Sequence, residues 1–217
     1  MKMTLAQLEP VAAALRKNRM AVHCVETKEE VAPLVENLLK KGETVAVGGS
    51  VTLSQTGVLD LLQNGEYRFL DRYAPGLTAE QENEVLRQSL LADTFLCSSN
   101  AVTRTGELYN VDGRANRVAA LAFGPKSVIV VVGCNKIVDD LKAAAERVKT
   151  IAAPLNAKRL QCQTYCGVNG VCKAVGSENI TDGCASPARM CAQFLISGMQ
   201  RVPDRIQVIL VGESLGY

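Results

Sequence analysis

The strongest constraint on this chain is the regular alternation of short β-branched apolar runs with amphipathic stretches. Leu5, Leu8, Val11, Ala12 and Leu15 fall at helical spacing, so residues 4–17 predict an opening helix. Met20 to Val25 reads as a strand. Thr27, with Glu30 three residues on, is placed to cap a second helix whose stripe is Val31, Leu34, Val35 and Leu38. Thr44 to Val47 is a short buried strand that runs into Gly48-Gly49-Ser50, and a third helix carries Leu53, Val58, Leu61 and Leu62. The same rhythm continues with strands at Tyr67 to Leu70, Asp93 to Cys97, Ser127 to Val132 and Arg205 to Val211, and helices at Thr78 to Leu90, capped by Thr78 and Glu82, and Asn135 to Ile151. Strands alternating with helices need crossover connections, which predicts an α/β fold with a mainly parallel sheet covered on both faces. Thr103 to Asn110, with Thr105-Gly106 between extended pieces, predicts a hairpin at the sheet edge or site mouth.

Composition narrows the function classes. The 217 residues are 47% hydrophobic and carry a net charge of +2, which excludes a disordered chain and gives no cationic excess for nucleic acid. No stretch is long and apolar enough for a membrane span, and the first residues lack a cleavage-site pattern, so a cytoplasmic location is expected. A single histidine, His23, makes histidine-based nucleophilic catalysis or a histidine-rich metal site a matter of that one residue. In a chain without an export signal, eight cysteines read as thiols or metal ligands and not as disulfides.

Three constellations carry chemistry. Gly48, Gly49, Ser50 and Thr52 form a strand-to-helix turn whose amides and hydroxyls suit a phosphate or carboxylate; the plainer alternative is a helix cap. The polar stretch from Ser98 to Arg117 gathers Asn100, Arg104, Glu107, Asn110, Asp112, Arg114, Asn116 and Arg117, side chains able to orient a small anion or to solvate a hairpin. The third lies within 160–192, a loop-rich segment with Cys162, Cys166, Cys172, Cys184 and Cys191. Cys24, Cys97 and Cys134 sit in or beside strands and read as small core residues. Clustered thiolates bind an iron–sulfur cluster or zinc, and bare thiols are the remaining reading. A close Cys-x-x-Cys pair is missing from the segment, while its long intervals and Gly167, Gly170 and Gly183 suit a loop wrapped around a larger guest.

Several stretches together resemble the LUD (lactate utilisation) domain family: Val47-Gly48-Gly49-Ser50 with Thr52-Leu53; Ser99-Asn100-Ala101-Val102-Thr103 with Gly106-Glu107-Leu108; Asn110-Val111-Asp112-Gly113 with Asn116-Arg117-Val118-Ala119; and Gly124-Pro125-Lys126 before Val132-Gly133-Cys134-Asn135-Lys136. The resemblance extends from about Leu5 to Gly216. It implies a three-layer α/β/α arrangement similar to sugar-phosphate isomerases and CoA transferases, over one domain spanning 1–217, with 160–192 a cysteine-rich clip inserted before the last strand. Relatives act in lactate oxidation to pyruvate with iron–sulfur companions. The chain resembles most closely the stand-alone members, which have no settled reaction. Many of these end in four spaced cysteines; here Cys166, Cys172, Cys184 and Cys191 match, with eleven residues replacing two in the middle interval, and Cys162 is an additional thiol.

The expectations that follow are these. Gly48, Gly49, Ser50, Thr52, Asn100, Asn110, Asn116 and Arg117 bind a small anionic metabolite, with Arg117 as its fork and Asp112 orienting it. Cys166, Cys172, Cys184 and Cys191 hold an iron–sulfur cluster of the 4Fe-4S type, ahead of zinc. The partner is an iron–sulfur or flavin oxidoreductase, and self-association is left open. One alternative is a CoA-transferase or isomerase-like enzyme with structural cysteines and Glu107 as base or acyl acceptor. The other is a non-catalytic subunit of an oxidoreductase.

Overall fold

The computed structural model describes residues 1–217. The elements in chain order are α1 (Leu5–Lys17), β1 (Ala21–Val25), α2 (Val31–Leu38), β2 (Thr44–Val47), α3 (Val51–Gln55), α4 (Val58–Asn64), β3 (Arg68–Leu70), α5 (Ala79–Gln88), β4 (Thr94–Cys97), β5 (Ala101–Thr103) and β6 (Leu108–Asp112). They continue with α6 (Asn116–Ala122), β7 (Ser127–Gly133), β8 (Ile137–Val138), α7 (Leu141–Arg147), α8 (Ala153–Arg159), α9 (Tyr165–Asn169), β9 (Gln193–Ser197) and β10 (Ile206–Val211). Six strands form a parallel sheet in the order β1-β10-β7-β4-β2-β3, and four form a smaller mixed sheet in the order β8-β5-β6-β9.

The layering follows from the period of two along each strand. Val128, Val130, Val132, Val208 and Leu210 pack with Leu8, Val11 and Leu15 of α1 and with Ala120 and Leu121 of α6. Their neighbours Ile129, Val131, Ile209 and Val211 face the other way, against Val31 and Val35 of α2 and Leu53, Val58 and Leu62 of α3 and α4. Strands buried on both faces lose their polar alternation, which is why Val128–Val132 of β7 and Val208–Val211 of β10 read as continuous apolar runs. Each such valine or isoleucine withdrawn from water contributes about 1.5–3 kcal/mol.

Several expectations change in the structure. The helix predicted from Asn135 begins only at Leu141, because Cys134–Lys136 form a single 3₁₀ turn and Ile137–Val138 pair with β5. It then runs on through a π turn at Val148–Ala152 into α8, since Pro154 sits in the first turn, where an amide hydrogen is not needed. The predicted helix over Leu53–Leu62 is split into α3 and α4 by Gly57, which adopts φ +69°. The cap at Thr78 is closed by Gln81 and not by Glu82, which pairs with Arg72 instead. Segment 160–192 is followed by two strands and not one: β9 pairs antiparallel with β6 before β10 enters the main sheet.

The predicted hairpin is present as β5 and β6, and its turn packs on α1. Gly106 has φ +91°, and a Cβ there would lie 2.6 Å from the carbonyl of Ala14. Asn18 Nδ2 fixes the contact by donating to the Gly106 carbonyl at 2.8 Å. Gly106→Ala combines an unfavourable backbone region with overpacking, so a loss of about 2–4 kcal/mol is expected in urea unfolding. An unchanged midpoint would refute that account of the turn.

Candidate functional site

A cavity of about 400 Å³ opens at the carboxyl ends of the parallel strands, the end where open α/β sheets bind ligands. The residues after β2 supply Gly49, Ser50 and Thr52; those after β3, Arg72 and Tyr73; those after β4, Ser98, Ser99 and Asn100; and those after β7, Lys136. The loop following β6 brings Gly113, Arg114 and Asn116, while α8 and Tyr217 close the remaining side, with Arg159 Nε donating to the Tyr217 hydroxyl at 2.6 Å. The lining holds five cationic side chains, Arg72, Arg114, Arg117, Lys136 and Arg159, against two carboxylates, Glu82 and Asp112. Charges of one sign in a concave site draw in ligands of the other. A net positive cavity of this size fits a small organic anion.

Arg117 is the internal brace of this site. The residue is 8% exposed, and its guanidinium donates to the carbonyls of Ser98 at 3.0 Å and Val111 at 2.8 Å, to Asn100 Oδ1 at 2.8 Å, to Asp112 Oδ1 at 2.7 Å and to Asn110 Oδ1. The other Asp112 oxygen accepts from the Val118 amide at 2.8 Å, which seats the start of α6. Ala115, at φ +65°, makes the turn between Arg114 and α6. Gly48 is close-packed on this arrangement: a Cβ would lie 3.3 Å from Arg117 Cδ and from Cys97 Cβ. Arg117 therefore ties the ends of β4 and β6 together, with its fork already matched to protein acceptors. The guanidiniums left to face a ligand are those of Arg72, itself paired with Glu82 at 2.9 Å, Arg114 and Arg159.

Lys136 is the residue the sequence analysis passed over. It is 3% exposed, yet its Nζ reaches the cavity between two hydroxyls, donating to Thr52 Oγ1 at 2.9 Å and Ser98 Oγ at 2.9 Å. Burial, reinforced by the positive charges of Arg147 and Arg117, lowers its pKa from the usual lysine range to about 7. Close by, Cys97 is fully enclosed, and burial pushes its thiol up to about 12, so it is an inert core group.

A second, much smaller cavity of about 10 Å³ is lined by Cys166, Cys172, Cys184 and Cys191, together with Lys149, Lys173 and Arg189. Their sulfurs have polar neighbours: Ala174 N donates to Cys172 Sγ at 3.4 Å, Arg189 Nε to Cys191 Sγ at 3.3 Å, and Thr164 Oγ1 lies 3.5 Å from Cys166 Sγ. Cys162 lies outside this lining, with its sulfur 3.6 Å from Met190 Sδ. No three His, Cys, Asp or Glu side chains are arranged to hold a single metal ion. Zinc requires each sulfur about 2.3 Å from one centre. Thiolate is the donor type of an iron–sulfur cluster, and these four cysteines line one space without gathering on one point. Seating such a guest would need the lining to open, because the present space holds about one water.

A family model for the LUD domain matches residues 8–211. The chain belongs to the LUD domain family. Membership makes it a lactate-utilisation-like protein. Among solved structures, the LUD chain is similar to a DUF162 family protein from Deinococcus radiodurans, with 20% identity over 97% of this chain and 99% of that one and a TM-score of 0.50. At that identity the likeness concerns the fold. It also matches eIF2B beta from Chaetomium thermophilum, at 19% identity over 52% of this chain and 43% of that one, with a TM-score of 0.35. No curated protein matches. No helix of the LUD domain is long and apolar enough to cross a membrane.

The LUD site brings together most of the residues expected to bind. Gly49, Ser50, Thr52, Asn100, Asp112, Asn116 and Arg117 all line the main cavity. Gly48 and Asn110 lie behind it, the latter fully buried with its Nδ2 unpartnered. Ser50 caps α3, accepting from Leu53 N at 3.2 Å, so the plainer reading of that turn describes its oxygen. Glu107 is outside the cavity, in the hairpin turn: burial acts to raise its carboxyl, but hydroxyl donations from Thr103 and Thr105 outweigh that and hold it below the ordinary range. A carboxylate so held, away from the cationic lining, is badly placed as a base or acyl acceptor for a ligand bound there.

Proposed function

We propose that this LUD protein binds a small organic carboxylate of the lactate and pyruvate kind in its cationic cavity and takes part in redox turnover through an iron–sulfur cluster held by Cys166, Cys172, Cys184 and Cys191. One observation carries the reading: Ala153 and Met190 line both the anion cavity and the cysteine cavity, so the two chambers share a wall one residue thick. A cluster, when bound, supplies one-electron transfer, passing charge to an iron–sulfur or flavin oxidoreductase partner. The chain's own groups do the rest. Arg72, Arg114 and Arg159 neutralise the carboxylate, Thr52 and Ser98 hold the Lys136 amine at the cavity wall, and Lys149, Lys173 and Arg189 offset the negative charge of four thiolates. The acyl-transfer alternative draws no support from Glu107, the carboxylate on which it relied.

The test is anaerobic purification followed by iron and sulfide analysis and a visible spectrum. Iron, sulfide and visible absorbance are expected in the wild type and are expected to be absent from Cys172→Ser and Cys184→Ser, whose overall fold should stay intact by circular dichroism. Wild-type protein with neither iron nor sulfide would remove the cluster. Lactate and pyruvate are expected to raise the melting temperature, with affinity about tenfold weaker in Arg72→Gln through loss of one charge-assisted contact.

A further inference from the structure

Lys136 raises a question that charge attraction leaves unanswered. A buried ammonium is costly unless a carboxylate faces it, and buried lysines are accordingly paired. The titratable groups acting on this one are Arg147 from α7, Arg117 from α6 and Cys97 from β4, with no carboxylate among them. Its two hydrogen-bond partners are hydroxyls, Thr52 and Ser98, arriving from separate strand ends at 2.9 Å each. An amine that is desolvated, set beside cations and open to a cavity has the properties of a lysine that condenses with carbonyl compounds. Lys136 has neither a carboxylate partner nor an exposed head group, and unlike the similarly buried Lys149, whose Nζ is taken up by the backbone carbonyls of Ser177 and Asn179, it lines the main cavity.

We infer that Lys136 is the amine nucleophile of the cavity, forming a Schiff base with a small 2-oxo carboxylate whose charged end lies against the cavity's arginines. The inference rests on the anion-binding reading and adds an activity that does not need the cysteines. In the condensation the neutral Nζ attacks the carbonyl carbon, a C–N bond forms, and the carbonyl oxygen leaves as water carrying both amine hydrogens. Thr52 and Ser98 accept and return protons at Nζ while the carbinolamine collapses. With the amine titrating near pH 7, the reactive neutral form prevails above that value.

The full-length wild type is incubated with pyruvate and sodium borohydride, then measured by intact mass and peptide mapping. One adduct is expected, heavier by the keto acid less one oxygen atom, on the peptide containing Lys136. Lactate, which has no carbonyl, gives none, and Lys136→Met gives none with pyruvate. The initial trapping rate is expected to fall about tenfold from pH 8 to pH 6, following the neutral fraction of an amine titrating near 7. Site mapping on the wild type keeps the result independent of how the variant folds. If pyruvate raises the melting temperature but no adduct maps to Lys136, or adducts spread over exposed lysines alone, the nucleophile is overturned and anion binding stands. If neither pyruvate nor lactate shifts the melting temperature and no adduct forms, both readings fall.

Discussion

Arg117→Met is expected to lower folding stability by about 3–5 kcal/mol, the cost of breaking a buried ion pair from one side. The reasons are local and countable. The guanidinium is the donor for the Ser98 and Val111 carbonyls, for the side-chain oxygens of Asn100 and Asn110, and for Asp112. Methionine fills the volume but donates nothing, and Asp112, with its side chain only 9% exposed, loses its counter-charge. Part of the loss should return in the double variant Arg117→Met/Asp112→Asn, because the uncompensated carboxylate is then gone. Urea unfolding at constant slope measures both. A loss below about 1 kcal/mol would mean that the brace is solvated and flexible and that the cavity wall owes its shape to something else.

Lys136→Met is expected to act in the opposite direction and to depend on pH. The folded-state pKa of about 7 lies below the ordinary unfolded value of about 10.4. Below pH 7 both states carry the proton and the folded protein bears the whole cost of a buried cation. As pH rises from about 7 to 10 the folded state has already released its proton while the unfolded state still binds one, so wild-type stability rises across that window. The variant lacks this gradient. Near pH 6 it should be more stable than wild type by about 2–4 kcal/mol, on the scale of 1.36 kcal/mol per pKa unit over some three units, with the gap closing toward pH 10. Parallel stability curves for the two proteins would place the amine in water. A stability gain accompanying loss of Schiff-base trapping is the pattern of a residue kept for chemistry at the expense of folding.

Local pattern made much of this architecture readable. The β-branched run Val128 to Val132 points to a strand, and the loops after β2, β4 and β6 stand out by their glycines and their Asn, Asp and Arg content. The unread part depends on which strands become neighbours. Arg72 and Tyr217 reach the cavity only because β3 and β10 take their particular places in the sheet, and nothing local announces that. Lys136 did leave a trace, a lone lysine three residues beyond an apolar strand that ends in glycine. Its environment is made by Thr52 and Ser98, 84 and 38 residues away. Arg117 lines the cavity with its fork matched to Asp112, a partner the sequence does not single out because a guanidinium suits a bound carboxylate and an internal one equally well. Glu107 was drawn in by its position beside polar neighbours, whereas the hairpin turn carries it away to Thr103 and Thr105. The strand β9 is hidden because Gln193–Ser197 starts two residues after Cys191 and has only one buried residue, Ser197.

The partition formed by Met190 and Ala153 has a thermodynamic corollary. A thioether is among the most compliant of apolar side chains, so whatever presses on Met190 from one chamber alters the packing offered to the other. Were the thiols to take up a guest, occupancy of the two spaces would be reciprocal: a metabolite that changed how firmly the guest is held would have its own dissociation constant changed by the same factor. Oxidation of that one sulfur to the sulfoxide, which turns a pliant apolar septum into a polar one, would uncouple them.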